Sequence, residues 1–316
     1  MRARPVSARP RRQRGAALLT AMIIVTLVAT LAAAMVWQQW RAVQVETAER
    51  ARTQAAWILS GALDFARLIL REDQKNGSVT ALTEPWATPL AEARLSTFLA
   101  ADTSNVDDGP EAFLSGSISD AQARYNVMNL LASNKIDPVQ LQTLERICQN
   151  AGLDVSIAQR IATGLLGATS TSTTAAAPLL PQTVAQLSWL GIDPDSLQTL
   201  QPYIVVLPIG TNVNVNTASK EVLAAVLNID PSTAGRMVQI AQVTPFKDTT
   251  SFATQLGSVP LSSAQIDTKS SYFEIRGRLR LADHVLVERT ILRRNPDRTS
   301  TVIERERIAS LDRAGA

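Results

Sequence analysis

The strongest constraint on the fold is an uncharged run of 26 residues, Gly15 to Trp40, with arginines on one side of it. The 14 residues ahead of this run carry six arginines and no acidic residue. About 20 apolar residues are enough for a helix to cross a bilayer. An arginine-rich flank stays in the cytoplasm. The sequence therefore predicts a single-pass membrane anchor, with its N-terminus in the cytoplasm and the rest of the chain on the opposite side.

The predicted helix continues beyond the anchor. No proline lies between Arg11 and Pro85, and no glycine lies between Gly15 and Gly61. Apolar residues recur past the anchor at spacings of three and four, which is typical of one helix face. These residues are Ala48, Ala51, Ala55, Ile58, Ala62, Phe65 and Ile69. We predict one helix over residues 16–70 whose second half packs this face against a globular body.

Small residues occur at both ends of the apolar run. Gly15 and Ala16 lie ahead of it, at the basic boundary. A secretory signal peptide is instead cut after its apolar core, where Ala29-Thr30-Leu31 and Ala32-Ala33-Ala34 offer small residues. The chain can thus carry a cleaved secretory signal, or a plain signal anchor in which Gly15 is incidental. The continuation of the helix argues against the cleaved signal.

The positive charge of the chain belongs to its N-terminal segment. The formal net charge is +3, and it becomes −3 without residues 1–15, which hold six arginines and no acid. The arginines therefore indicate membrane orientation and not binding to nucleic acid. A chain of 316 residues has room for the anchor and one or two packed domains.

Residues that carry catalytic chemistry are scarce. Cys148 is the only cysteine, so no intramolecular disulfide can form, and its apolar neighbours predict a buried thiol. His284 is the only histidine, which argues against a histidine-rich metal site and a histidine-based triad. No phosphate-binding or hydrolase motif occurs. We therefore predict no enzymatic activity, no cofactor and no metal.

The middle of the chain predicts short helices that begin at aspartates. Aspartate is a favoured N-cap, and proline suits the first helical position. Four tetrads share an aliphatic residue followed by such an aspartate. They are Lys135-Ile136-Asp137-Pro138, Gly152-Leu153-Asp154-Val155, Gly191-Ile192-Asp193-Pro194 and Asn228-Ile229-Asp230-Pro231. Another short helix is predicted over Leu90–Ala101.

After Tyr272 the apolar period becomes two, which is typical of strands. Turns at Ala282-Asp283-His284 and Asn295-Pro296-Asp297 predict an antiparallel meander. Charged residues alternate with apolar ones here, and we interpret them as a solvated sheet face with cross-strand ion pairs. These residues are Arg276, Arg278, Arg280, Glu288, Arg289, Glu304, Arg305, Glu306 and Arg307.

Motifs spread over nearly the whole chain resemble one known family. They are Arg14-Gly15-Ala16-Ala17-Leu18-Leu19, Trp86-Ala87-Thr88-Pro89-Leu90, Gly116-Ser117-Ile118-Ser119-Asp120, Arg124-Tyr125-Asn126-Val127-Met128-Asn129-Leu130, Pro202-Tyr203 and Val213-Asn214-Val215-Asn216-Thr217-Ala218. The asparagine-rich runs are the most specific of these. On these motifs the chain resembles the minor pseudopilin K family of the type II secretion system.

The resemblance implies an α+β fold, in which a pilin-like long N-terminal helix packs on an antiparallel sheet and a large all-helical domain is inserted. We expect five segments. They are a class III leader over residues 1–15, the transmembrane half of the helix over 16–40, the first part of a pilin-like domain over 41–128, the helical insert over 129–268 and the C-terminal strands over 269–316.

The resemblance also implies processing and position. A prepilin peptidase is expected to cut between Gly15 and Ala16, after which Ala16 is N-methylated. Most pilins carry glutamate at the fifth mature position, where it is thought to pair with the terminal amine of the preceding subunit. Thr20 occupies that position here, and a subunit that comes first can omit a carboxylate that is costly in the membrane.

The expected place is the tip of a periplasmic pseudopilus, where the protein initiates assembly and supports export of folded proteins across the outer membrane. The expected location is the inner membrane, with the body in the periplasm. Expected partners are the minor pseudopilins of the I and J types, the H-type and major pseudopilins, and the prepilin peptidase. Ala48, Ala51 and Ala55 are the predicted contacts with partner helices, because small side chains allow close approach.

The chain departs from the family in one respect. Calcium sites and a disulfide are associated with some family structures, but the corresponding segment here, Leu165–Leu180, has no acidic residue. Calcium takes about six or more oxygen ligands. We interpret the remaining acids Asp102, Asp107, Asp108 and Glu111 as a solvated loop and predict no metal.

The alternative function is a membrane-anchored periplasmic helix-hairpin-helix protein that binds DNA. The run Asn214–Ser219 resembles the start of such a module. A module of this kind holds a phosphate on backbone N–H groups of its hairpin. Here Asp230 brings a negative charge to that hairpin and Pro231 removes an N–H, so we do not expect nucleic acid as a partner.

Overall fold

The structure is a computed structural model of the chain. It describes residues 14–77, 79–95, 111–169, 178–257, 266–281 and 284–308, with only the backbone described for residues 14–16, 76 and 284. The chain divides into two compact units, Met1–Trp57 and Ile58–Ala316.

The described part of the first unit belongs to a single helix, α1, which runs from Arg14 to Asn76. Among the described residues this is the one helix long and apolar enough to cross a membrane, and its most apolar 18-residue window has a mean hydropathy of 2.4 with no buried share. The hydroxyls of Thr26 and Thr30 donate to carbonyl oxygens of their own helix at 2.9–3.0 Å. The polar groups of these threonines are thus satisfied inside the helix, as a bilayer requires.

The second unit buries one face of α1 against a sheet. Leu63, Ala66 and Leu70 form a core cluster with Trp86, Phe273, Ile275 and Leu292. Leu59 belongs to the same face, and its Cδ2 lies 3.1 Å from where a Cβ of residue 277 would be, so Gly277 allows close approach.

The predicted packing face of α1 was wrong in its orientation. Phe65, expected in the core, is 53% exposed, whereas Leu63 and Ala66 are 5% and 6% exposed. The true face lies about 100° further round the helix, which is the turn between successive residues. Nearly every position from 55 to 70 is apolar, so the spacing alone fits more than one face.

The sheet has five antiparallel strands in the order β1-β2-β9-β10-β11. Their bounds are β1 Leu90–Arg94, β2 Ala112–Asp120, β9 Tyr272–Leu281, β10 His284–Arg294 and β11 Ser300–Ile308. The last three confirm the predicted meander. The helix predicted from Leu90 is wrong over Leu90–Arg94, because Leu90 pairs with Gly116 and Arg94 with Phe113. Residues 96–101 of that prediction lie outside the described residues.

The charged residues of the meander are less solvated than predicted. The side chains of Glu288 and Arg289 are 4% and 13% exposed. The expected cross-strand pairing is confirmed, since Arg305 on β11 donates to Glu288 on β10 at 2.6 Å. Pairing of this kind is what allows charges to be buried.

A second core occupies the residues between β2 and β9. Its helices are α2 Pro138–Asn150, α3 Ser156–Thr169, α4 Pro194–Leu200, α5 Lys220–Leu227, α6 Pro231–Val243 and α7 Thr249–Leu256. Short 3-10 helices are Pro85–Ala87, Ala121–Ala123, Val127–Leu130 and Ala185–Leu190. Three two-residue strand pairs complete it: β3 Tyr125–Asn126 with β6 Ile204–Val205, β4 Leu131–Ala132 with β5 Lys135–Ile136, and β7 Val213–Asn214 with β8 Ile266–Asp267.

The aspartate caps are confirmed. Asp137, Asp193 and Asp230 each cap a helix with proline at its start, and each side chain accepts from first-turn N–H groups. Asp154 accepts in the same way from the N–H of Ser156. The predicted core thiol is confirmed as well, since Cys148 is fully buried and burial raises its pKa to about 11.

Candidate functional site: the exposed helix face and the polar junction

The residues predicted for processing lie at the start of α1. The backbone at Gly15 and Ala16 is helical, and residues 1–13 of the expected leader lie outside the described residues. Thr20 is exposed, and its Oγ1 donates to the carbonyl oxygen of Ala17 at 2.9 Å. The hydroxyl is thus compatible with an apolar surrounding without bringing a charge into it.

The three alanines predicted to contact partner helices differ in exposure. Ala48 and Ala51 are half-buried, whereas Ala55 is only 6% exposed in the chain itself. A partner helix that approaches this part of α1 therefore has Ala48 and Ala51 available.

An apolar surface that the sequence prediction missed lies on the second unit. Phe65 and Leu68 are 53% and 46% exposed, and Gly61 between the same helical turns is exposed too. Spacings of four and three place these residues on one side of α1, opposite the side that packs on the sheet. We call Gly61, Phe65 and Leu68 the exposed helix face. Apolar residues that share one exposed helix side are available for contact with another protein.

A buried carboxylate joins the sheet to the helical body. Asp120 ends β2 and is 5% exposed. Its Oδ2 accepts from the hydroxyls of Ser270 and Thr217 at 2.6 Å each and from the amide of Asn214 at 2.9 Å. Its Oδ1 accepts from the backbone N–H of Gln122 at 2.8 Å. We call these five residues the polar junction.

The junction is a structural element. Burial raises the pKa of Asp120, and hydrogen bonds from Ser270, Thr217 and Asn214 oppose that shift. Asn214 also donates to the carbonyl of Thr80 at 3.0 Å, so the loop after α1 is held at the same point. Both carboxylate oxygens of Asp120 accept hydrogen bonds from neighbouring residues. We therefore interpret Asp120 as a residue that connects segments of the chain and not as a catalytic group.

The other amides of the asparagine-rich runs perform the same task. Asn126 donates to the carbonyl oxygen of Ile209. Asn129 donates to the carbonyl oxygen of Thr211 and accepts from its N–H. Asn216 exchanges two hydrogen bonds with the backbone of Phe246 at 2.8 and 3.0 Å. The runs were recognised in the sequence as the most specific motifs. The structure gives the reason, because each amide satisfies backbone groups that regular secondary structure leaves unpaired.

A second buried carboxylate, Glu274, lies on β9 and is 2% exposed. Arg124 and Arg276 donate to it at 2.7 Å, and Arg289 lies 3.3 Å away. Burial acts to raise the pKa of Glu274, but the charges of Arg124 and Arg289 outweigh it and lower the pKa to about 2. This cluster ties the 3-10 segment after β2 to the centre of the sheet.

No metal site emerges in the part of the chain that is described: no group of three or more His, Cys, Asp or Glu side chains converges there. Asp102, Asp107 and Asp108 lie outside that part. Glu111 is paired with Arg94 at 2.7 Å on the surface. The side chain of His284 is not among those described.

The hairpin between α5 and α6 does not favour the DNA-binding alternative. Asp230 accepts from the N–H groups of Ser232 and Thr233 at 3.0 and 2.9 Å. These N–H groups are the ones that a phosphate at this helix end requires. The carboxylate of the chain itself therefore occupies the position, and hydrogen bonds from Ser232 and Thr233 lower its pKa.

Comparison with known proteins supports one family. Two models described as type II secretion system protein K match residues 123–209 and 213–271. The curated type II secretion system protein K of Pseudomonas aeruginosa is 28% identical over 325 residues, which cover 94% of this chain and 93% of that protein. These matches support the assignment of this chain to the type II secretion system protein K family, as its motifs predict. The protein K of Pectobacterium carotovorum subsp. carotovorum is 26% identical, over 89% of this chain and 92% of that protein.

A solved structure has a similar fold. The GspK-GspI-GspJ complex from the type 2 secretion system of enterotoxigenic Escherichia coli contains a chain that matches with a TM-score of 0.65 and 18% identity. The match covers 83% of this chain and 99% of that chain. It confirms the predicted α+β class, with a long N-terminal helix, an antiparallel sheet and additional helices.

Proposed function

We propose that this chain is the minor pseudopilin at the tip of the type II secretion pseudopilus, where it initiates assembly and supports export of folded periplasmic proteins across the outer membrane. The observation that carries the proposal is the position of the helical body. β2 and β9 are direct neighbours in the sheet, yet residues 121–271 lie between them in sequence. A body of that size is difficult to repeat along a filament of closely packed helices, whereas a tip subunit faces open space.

The chemistry of the anchor supports the same position. A carboxylate in the membrane is costly unless it is paired. Thr20 carries none, so this subunit makes no demand for a preceding subunit that supplies an amine. We propose that α1 anchors the chain in the inner membrane, with the N-terminus in the cytoplasm and the body in the periplasm, because an arginine-rich flank stays in the cytoplasm.

The proposed partners are minor pseudopilins of the I and J types, with the H-type and major pseudopilins further along the shaft. The solved structure with a similar fold is that of a GspK-GspI-GspJ complex, which supports these partners. The surfaces that we propose for these contacts are Ala48 and Ala51 and the exposed helix face. Leader removal by a prepilin peptidase comes first, since it frees the helix to join the others.

Immunogold labelling of pseudopili tests the tip position. For this test an epitope is fused to the C-terminus of the chain, and in a control strain the same epitope is fused to the major pseudopilin. We expect gold at one end of each filament for this chain and along the whole filament for the control. Regular labelling along the shaft by this chain contradicts the proposal.

A further inference from the structure

A cleft of about 430 Å³ lies on the second unit between the last turns of α1 and the β10–β11 hairpin. Its lining is strongly basic for a chain whose predicted mature charge is −3. The polar residues that line it include Asp64, Arg67, Arg71, Gln74, Arg294 and Arg298. Four arginines thus face one aspartate. We call this the arginine cleft.

Internal pairing accounts for only two of the four arginines. Arg67 binds Asp64 at 2.6 Å, and Arg294 binds Asp73 at 2.7 Å just outside the cleft. Arg71 and Arg298 are exposed and have no carboxylate partner among the described residues. The cleft therefore keeps two positive charges that the chain itself does not neutralise.

Two polar atoms at the cleft are also left without partners. The Nε of Arg67 and the Oε1 of Gln74 are buried and form no hydrogen bond in the described part of the chain. Unpaired buried polar atoms are uncommon in folded proteins and costly. One of these atoms is a donor and the other an acceptor. Both atoms are shielded from solvent, so the groups open to a partner are the guanidinium groups of Arg71 and Arg298.

The cleft is continuous with the exposed helix face. Leu68 belongs to both, and Phe65 lies one turn earlier on the same side. A partner that covers Phe65 and Leu68 therefore also reaches the cleft. Arginine guanidinium groups bind carboxylates through two parallel hydrogen bonds, which gives such a contact direction as well as charge complementarity.

We infer that the arginine cleft receives an acidic segment of a partner pseudopilin whose helix packs on the exposed helix face. This inference rests on the proposed function and adds to it a charged anchor point and the chemistry of the partner residue. The partner contributes an aspartate or glutamate side chain to Arg71 and Arg298.

Charge reversal on the intact complex tests the inference. The full chain in detergent is titrated with its I- and J-type partners, as wild type, as the double variant Arg71→Glu/Arg298→Glu, and as the control Arg236→Glu. Arg236 is an exposed arginine on α6, away from the cleft. We expect the double variant to bind at least about tenfold more weakly, because like charges then meet at the contact. We expect the control to bind like the wild type, and salt to weaken the wild type more than the double variant.

The outcomes separate the two proposals. If the wild type and Arg236→Glu bind both partners and the double variant binds equally well, the inference is wrong and the proposed function stands. If the wild type binds neither partner, the proposed function is wrong, and so is the inference that a partner pseudopilin occupies the cleft. Calorimetric titration of the wild type with citrate and with inorganic phosphate tests whether the cleft binds a free anion instead. Saturable binding of a free anion that Arg71→Glu/Arg298→Glu abolishes, with partner binding unchanged, overturns the assignment to a partner protein.

Discussion

At the scale of single residues, the protein depends on two buried carboxylates that are satisfied in different ways. Asp120 is held by neutral donors, and Glu274 by arginines. Neither lies in an open catalytic site. Both connect segments that are distant in sequence, since Asp120 meets Ser270 and Glu274 meets Arg124, in each case 150 residues away.

The ion pairs of Glu274 predict a defined response to acid. The pKa of this carboxyl is about 2 in the folded chain and about 4.5 when unfolded. A lowered folded pKa means that its contribution is complete above the unfolded pKa and is lost as pH falls from about 4.5 toward 2. The substitution Glu274→Gln should lower the free energy of unfolding at pH 7 by about 3 kcal/mol, because Arg124 and Arg289 lose their counter-charge.

Denaturant titrations at pH 7, 4 and 3, followed by tryptophan fluorescence, measure this effect. The difference between wild type and Glu274→Gln should shrink as the pH falls. The control Glu111→Gln, which changes an exposed pair, should match the wild type at every pH. A constant difference between wild type and Glu274→Gln down to pH 3 contradicts the assigned pKa.

The polar junction predicts a large cost for a small substitution. Asp120→Ala removes the carboxylate acceptor of the Ser270 and Thr217 hydroxyls and one of the acceptors of the Asn214 amide. We expect a loss of roughly 2–4 kcal/mol in the free energy of unfolding, since each stranded polar group has a desolvation cost. Asp195→Ala, at an exposed position on α4, is the control. Equal melting temperatures for the two variants speak against a fastening role for Asp120.

At the scale of elements, α1 has two apolar sides with different tasks. Leu63 faces the sheet and Phe65 faces solvent, only two residues apart. Leu63→Ala should lower the free energy of unfolding by about 2–5 kcal/mol, as for other buried leucines. Phe65→Ala should change it by less than about 0.5 kcal/mol, as for other surface positions. Thermal melting of both variants checks this, and a larger loss for Phe65→Ala than for Leu63→Ala reverses our assignment of the two sides.

Features that depend on a few neighbouring residues were predicted from the sequence. Features that depend on contacts between distant segments were not. Asp137 and Asp230 cap their helices because a cap depends only on the next few residues. The packing side of α1 was missed because Leu63 and Phe65 are equally apolar, and only the sheet distinguishes them. The strand at Leu90 was missed because its pairing partner, Gly116, lies in another segment. The arginine cleft was not predicted for the same reason, since Arg71 and Arg298 lie near opposite ends of the sequence of the second unit.

At the scale of the whole molecule, the account requires a processed anchor. We expect the mature chain to begin at Ala16, with a methyl group on its amine. Mass spectrometry of the N-terminal peptide from inner membranes measures this directly. Gly15→Leu should leave the leader attached, since the residue before the cut is altered. A wild-type chain that begins at Met1, or near Ala32, contradicts the processing.

The proposed place among the minor pseudopilins is tested most directly by affinity capture of the tagged full chain from detergent-solubilised membranes that hold all the pseudopilins. We expect the wild type to capture the I- and J-type minor pseudopilins together. We expect Phe65→Asp to remain folded, because Phe65 is exposed, but to capture markedly less of both. A wild-type chain that is processed and present in the membrane but captures neither partner contradicts the proposed function.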